Sequence, residues 1–138
     1  MTDASTNPLL APRTLPFQLP PYADIRPDHY LPAFEQAFTE HLAEVANITR
    51  VRSMPTFENT MVSLEESGRL LNDVARTFYT VSSADATDEI QAIEETLAPL
   101  MAAHQDAIQL DGALYWRVKT LHDQLDVLEL DAEQRYLV

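Results

Sequence analysis

Histidine and carboxylate side chains are the groups in this chain that could hold a metal ion or move a proton, and their spacing decides whether they can act together. The histidines are His29, His41, His104 and His122. Dinuclear carboxylate bundles place a glutamate three residues before each histidine. Here those positions hold Arg26, Phe38, Met101 and Lys119, so that motif is absent. His41 and Glu44 share one helix face at a spacing that any acidic helix produces, and the pair reads as structural. His104 lies on an apolar stripe just before Asp106, which points to a half-buried imidazole bonded to a neighbouring helix. His29 stands at a helix entrance and suits backbone capping, whereas His122 faces solvent.

The carboxylates fare no better as an acid and base pair. Adjacent glutamates on a helix point about 100° apart, so neither Glu65 with Glu66 nor Glu94 with Glu95 shares a site, and these residues with Glu58 read as a solvated face. The chain has no cysteine, which removes a disulfide scaffold, a thiolate metal site and a cysteine nucleophile together. Its glycines are Gly68 and Gly112, too few for a phosphate-cradling loop, and no Gly-x-Ser-x-Gly elbow occurs. No residue is therefore assigned a catalytic, cofactor-binding or metal-binding role.

The elements that carry these residues are helical. A chain of 138 residues with 46% apolar and 22% charged content can bury one ordinary core, and two glycines leave little room for hairpins. The fold expected is all-α, an antiparallel bundle of four long helices plus a truncated fifth, preceded by an extended proline-rich strap. The strap covers residues 1–26, with Pro8, Pro12, Pro16, Pro20 and Pro21, and its apolar residues suit a surface it lies across. Residues 27–138 form the helical part. No two of these strap prolines have Pro-x-x-Pro spacing, which argues against a proline-rich ligand.

The first helix carries Leu31, Phe34, Phe38, Leu42, Val45 and Ile48 on one face, with Pro32 dividing off a short opening turn, and ends near Thr49 to Ser53. The second is predicted as one helix from a Thr56 cap to about Ser82, with Phe57, Met61, Leu64, Gly68, Leu71, Ala75 and Phe78 on one side. Gly68 on that stripe implies close passage of another helix. Thr87 caps a third, in which burial of Leu97, Leu100 and Met101 outweighs the cost of Pro99 and leaves a bent helix. Asp111 caps a fourth with Leu114, Val118, Leu121, Leu125 and Leu128, and Asp131 opens the fifth. Tyr115, Trp116 and Tyr136 read as core or interdomain packing.

Twenty-two acidic against nine basic residues give a net charge of −13, which repels nucleic acid and anionic membrane surfaces. No apolar run is long enough to span a bilayer and no secretory signal is visible at Met1–Ser5. A cytoplasmic location is expected.

Pro55-Thr56-Phe57-Glu58-Asn59-Thr60, followed by Leu64-Glu65, Ser67-Gly68, Leu71, Val74 and Phe78, resembles the N-terminal region of the thimet-oligopeptidase family of zinc metallopeptidases. Asn7-Pro8-Leu9-Leu10, Pro20-Pro21-Tyr22, Pro27-Asp28-His29 and Leu114-x-x-Arg117-Val118 extend the likeness over nearly the whole chain from residue 7, and it leans toward the bacterial peptidyl-dipeptidase branch. The resemblance implies a parent enzyme that hydrolyses short oligopeptides with one zinc, held by a His-Glu-x-x-His motif that this sequence lacks. It also implies that these helices form part of the substrate-channel wall and brace a C-terminal catalytic domain of the same polypeptide. The chain by itself is then non-catalytic and prone to self-association. Glu58, Asn59 and Thr60 read as structural, with peptide contact the sharper alternative. A stand-alone acidic helical interaction module is the competing interpretation of the whole chain.

Overall fold

The computed structural model describes residues 7–125 and 131–138, which contain helices and turns and no strand. In order, α1 is Tyr30–Thr49, α2 is Ser63–Glu66, α3 is Arg69–Ala84, α4 is Asp88–Gln109, α5 is Gly112–Asp123 and α6 is Ala132–Leu137. A π-helical turn, Phe57–Val62, runs directly into α2. The all-α bundle expected from the sequence is what forms, with α1 at its centre against α3, α4 and α5. Its main core joins Tyr30, Ala33, Phe34 and Ala37 of α1 to Leu71, Val74 and Phe78 of α3 and to Ile90 and Leu97 of α4. Phe78 stands edge-on to both Tyr30, at 5.0 Å, and Phe34, at 5.8 Å. Each such pair adds about 0.5–1.5 kcal/mol beyond the area it buries. Val45, Ile48 and Leu114 make a smaller core between α1 and α5.

Helix starts follow the local chemistry. Thr87 accepts from the Ile90 amide, Asp111 from Leu114 and Asp131 from Gln134, each satisfying a first-turn donor. Pro32 does not divide α1, because it falls in the first turn, where its missing N–H is not needed. α4 runs unbroken through Pro99, but Leu100 remains 41% exposed, so Leu97 and, in part, Met101 anchor that stretch. α5 stops at Asp123, short of Leu125, and Leu128 lies outside the described residues.

The strap is pinned around Asn7–Arg13 and again at Ile25. The Asn7 amide donates to the His29 carbonyl at 2.9 Å, its side-chain oxygen accepts from Leu9 at 3.0 Å, and Leu9 is buried in the main core. Arg13 pairs with Asp73 of α3. Beyond that the chain is not continuously extended, since Pro16–Gln18 and Tyr22–Asp24 are 3-10 turns and Phe17 and Gln18 have positive φ. Leu15, Phe17, Leu19 and Tyr22 are exposed, so the strap's apolar cover comes from Leu9, Leu10 and Ile25.

The largest departure from expectation lies in the predicted second helix. Thr56 does cap its start, with a reciprocal bond from its own amide to the Asn59 side chain. The helix then begins as a π turn and breaks at Ser67 and Gly68, where Ser67 is extended and Gly68 is left-handed with φ 73°. The cause is the approach of α1: a β-carbon on Gly68 would lie 3.0 Å from the His41 ring. Close passage was legible in the sequence; a break in the helix was not. Gly68→Ala is expected to cost about 2 kcal/mol through the positive φ and this contact. Gly112→Ala, at an open helical position, should be neutral or stabilising by up to about 1 kcal/mol, and urea unfolding of the two variants measures the difference.

Candidate functional site

Two polar assemblies flank the Ser67–Gly68 break. In the first, His41 of α1 meets His104 of α4, with His41 Nδ1 and His104 Nε2 2.8 Å apart. His41 Nε2 lies 3.2 Å from Ser67 Oγ, and Ser67 Oγ donates to the Leu64 carbonyl at 2.6 Å. Glu44, one turn beyond His41, accepts from the Gly68 amide at 3.0 Å. Phe38 stacks at 4.7 Å on the His104 ring, and His104 is 8% exposed.

The direction of this chain of bonds follows from its end. A carbonyl can only accept, so the Ser67 hydroxyl proton points at Leu64 and its oxygen must accept from His41 Nε2–H. His41 Nδ1 is then an acceptor, and His104 supplies the proton from Nε2. That leaves His104 Nδ1 as a bare lone pair, which fits its burial without a hydrogen-bond partner among the described residues. Two neutral imidazoles account for all of these contacts. Burial lowers the pKa of His41, with Glu44 opposing the shift. Burial also lowers that of His104, and the neighbouring His41 adds to it.

The second assembly is built on Arg117 of α5, which is 3% exposed. Its Nε donates to Thr60 Oγ1 at 3.2 Å and its Nη2 to Asn59 Oδ1 at 2.9 Å. Its Nη1 donates to the carbonyls of Val51, at 3.0 Å, and Ser53, at 3.4 Å. The Asn59 amide donates to the Met54 carbonyl at 3.0 Å. One guanidinium fork therefore ties the loop after α1 and the π turn to α5, and its acceptors are all neutral. Between the two assemblies lies an open groove bordered by Glu44, Ile48, Asn59, Ser63, Glu66 and Ser67.

His29 caps as expected, its Nδ1 accepting from the Arg26 amide at 2.9 Å. His104 has the interhelical bond that its stripe position implied, and its partner is His41, a residue read from the sequence only against Glu44. His122 is exposed, as are Glu58, Glu65, Glu66, Glu94 and Glu95. Asn59 and Thr60 are drawn together under Arg117, while the Glu58 side chain points to solvent. Tyr115, Trp116 and Tyr136 are 63%, 52% and 90% exposed, so they are not core residues. The His41–His104 contact spans 63 residues and the Arg117 bonds span 57 to 66, and no local spacing signals either.

The donor set does not fit a zinc ion. Among the described residues no three histidine, aspartate or glutamate side chains converge closely enough to hold a metal. The two nitrogens that do converge are bonded to one another, and Glu44 is engaged by the Gly68 amide. Nor, among the described residues, is any helix long and apolar enough to cross a membrane.

No family model matches the chain. It is 37% identical over 134 residues to dipeptidyl carboxypeptidase of Salmonella typhimurium, a match covering 97% of this chain and 20% of that protein. Against dipeptidyl carboxypeptidase of Escherichia coli it is 36% identical over 132 residues, 96% of this chain and 19% of the other. Against oligopeptidase A of Escherichia coli it is 26% identical over 133 residues, again 96% and 19%. The chain spans about a fifth of the length of the curated relatives it matches, and that fifth is their N-terminal part.

Two stability measurements follow from the assemblies. Lysine cannot reproduce the guanidinium fork, so Arg117→Lys is expected to lose about 2–3 kcal/mol in urea unfolding. The lowered imidazole pKa values mean that the unfolded chain binds more protons than the folded one below the ordinary value of 6.5. Stability is then full above that pH and falls as the pH drops from 6.5 toward the folded-state values. Thermal unfolding of the chain across this range, compared with His104→Gln, is expected to show a smaller acid loss in the variant.

Proposed function

We propose that this chain, homologous to the N-terminal fifth of the dipeptidyl carboxypeptidases, is the non-catalytic helical portion of a zinc metallopeptidase that releases C-terminal dipeptides from short oligopeptides. The observation that carries this reading is 37% identity over 97% of the chain. In the parent enzyme these helices form part of the wall of the substrate channel. They restrict entry to short unfolded peptides and brace the C-terminal catalytic domain, which supplies the zinc ligands and the water that attacks the peptide bond. The residues here hold shape: α1 sets the position of α4, and Arg117 fixes the loop and π turn that follow α1.

The surface supports a role as one part of a larger body. Leu110, Tyr115 and Trp116, at the α4–α5 junction and on α5, are 81%, 63% and 52% exposed. Apolar groups grouped in this way commonly mark a surface that packs against something else. On the isolated chain they favour self-association.

Peptide assays test the assignment. The chain alone, supplied with zinc and an oligopeptide, is expected to release no dipeptide. The polypeptide that joins it to the remaining four fifths of the enzyme should release dipeptides and stop when a chelator is added. Dipeptide release by the chain alone in the presence of chelator would overturn the reading. So would a longer polypeptide with no peptidase activity, which is the outcome expected of a stand-alone interaction module.

A further inference from the structure

The part-buried contact between His41 and His104 is chemically constrained, because its four ring nitrogens admit few arrangements of protons. We infer that this contact is a proton-operated latch: it holds the Ser67–Gly68 break against α1 and α4 while both rings are neutral, and it opens when the pair is fully protonated. The inference concerns local structure and stands whether or not the peptidase reading holds.

Proton counting gives the mechanism. The neutral pair carries two protons, one in the 2.8 Å contact and one on His41 Nε2 facing Ser67. A third proton has one place to go, His104 Nδ1, which is buried and has no hydrogen-bond partner among the described residues. There it would be a buried donor without an acceptor, a costly state. A fourth would put N–H groups on both sides of the contact, pointing at each other, and the rings must separate. Separation frees His41 from Ser67 and lets it turn toward Glu44, the carboxylate that now holds the Gly68 amide at 3.0 Å. The break loses both side-chain tethers in one event.

The surroundings leave this as the main electrostatic event. From α1 the charged group acting on the pair is Glu44, and from α4 it is His104 itself. The break contributes the Ser67 hydroxyl and the Gly68 amide, both neutral. Glu40, Glu65, Glu66, Arg69 and Asp106 are exposed, and Arg117 of α5 is committed to Asn59, Thr60 and the loop carbonyls. Protonation therefore acts beside a glycine already in a left-handed conformation, where α1 passes close to the break.

Amide hydrogen exchange of the 138-residue chain between about pH 7.5 and about pH 5 tests the latch, together with nitrogen-resolved titration of the imidazoles. After correction for intrinsic rates, protection at Ser67 and Gly68 is expected to fall by up to about tenfold per pH unit for each proton taken up. Val74 and Leu97 in the core should keep theirs. The double variant His41→Gln with His104→Gln should lose this pH dependence, and each single variant should show a shallower one. Unchanged Gly68 protection in the unaltered chain would overturn the proposal. Parallel loss at Val74 would also overturn it, since that is global unfolding. If the variants do not fold, the ring titrations decide: coupled transitions below the ordinary value support the latch, and independent titration at 6.5 refutes it.

Discussion

The approach of α1 to Gly68 is the constraint on which the rest of this structure depends. The His41 ring occupies the space where a side chain at position 68 would stand, so the backbone there must be glycine and can turn left-handed. That turn divides what would have been one long helix into the π turn with α2 on one side and α3 on the other. α3 can then lay Leu71, Val74 and Phe78 against α1, while the π turn swings Asn59 and Thr60 toward α5. A straight helix could not serve both packing directions. The same approach brings His41 within reach of His104, so the break and the histidine pair are two consequences of one contact.

Arg117 solves a second problem created by that geometry. The loop after α1 and the irregular π turn expose carbonyls and an amide side chain where no regular helix can satisfy them. A fork of donors meets four acceptors at once, and the planar geometry of guanidinium makes it suited to the task. The cost of burying its charge is offset by acceptors on several sides in place of a single carboxylate.

What could be read from the sequence was local. The caps at Thr56, Thr87, Asp111 and Asp131 were legible because each places a short polar side chain one position before an apolar-striped run. His29 was legible from its place at the helix entrance marked by Pro27. The all-α class followed from the stripe periodicity and the shortage of glycine. The break at Ser67 and Gly68 was not, since the apolar spacing from Phe57 to Phe78 is compatible with an uninterrupted helix and left-handed geometry leaves no mark beyond the glycine itself. The partners of His41 and Arg117 were illegible because both bonds join residues far apart in the chain. Tyr115 and Trp116 were read as packed aromatics, and their exposure here follows from α5 meeting α1 through Leu114 and Val118 on its other face.

This scaffold sets the relative positions of the helices that meet around one glycine. Under the proposed function that positioning has a purpose, because a wall must keep its shape for a channel to select its contents. The most direct measurement is the solution backbone geometry of Gly68, from its backbone couplings and from proton contacts to the His41 ring. A positive φ with close contacts to that ring is expected. Right-handed helical geometry continuous from Phe57 to Ala84, with no such contacts, would contradict the break and everything built on it.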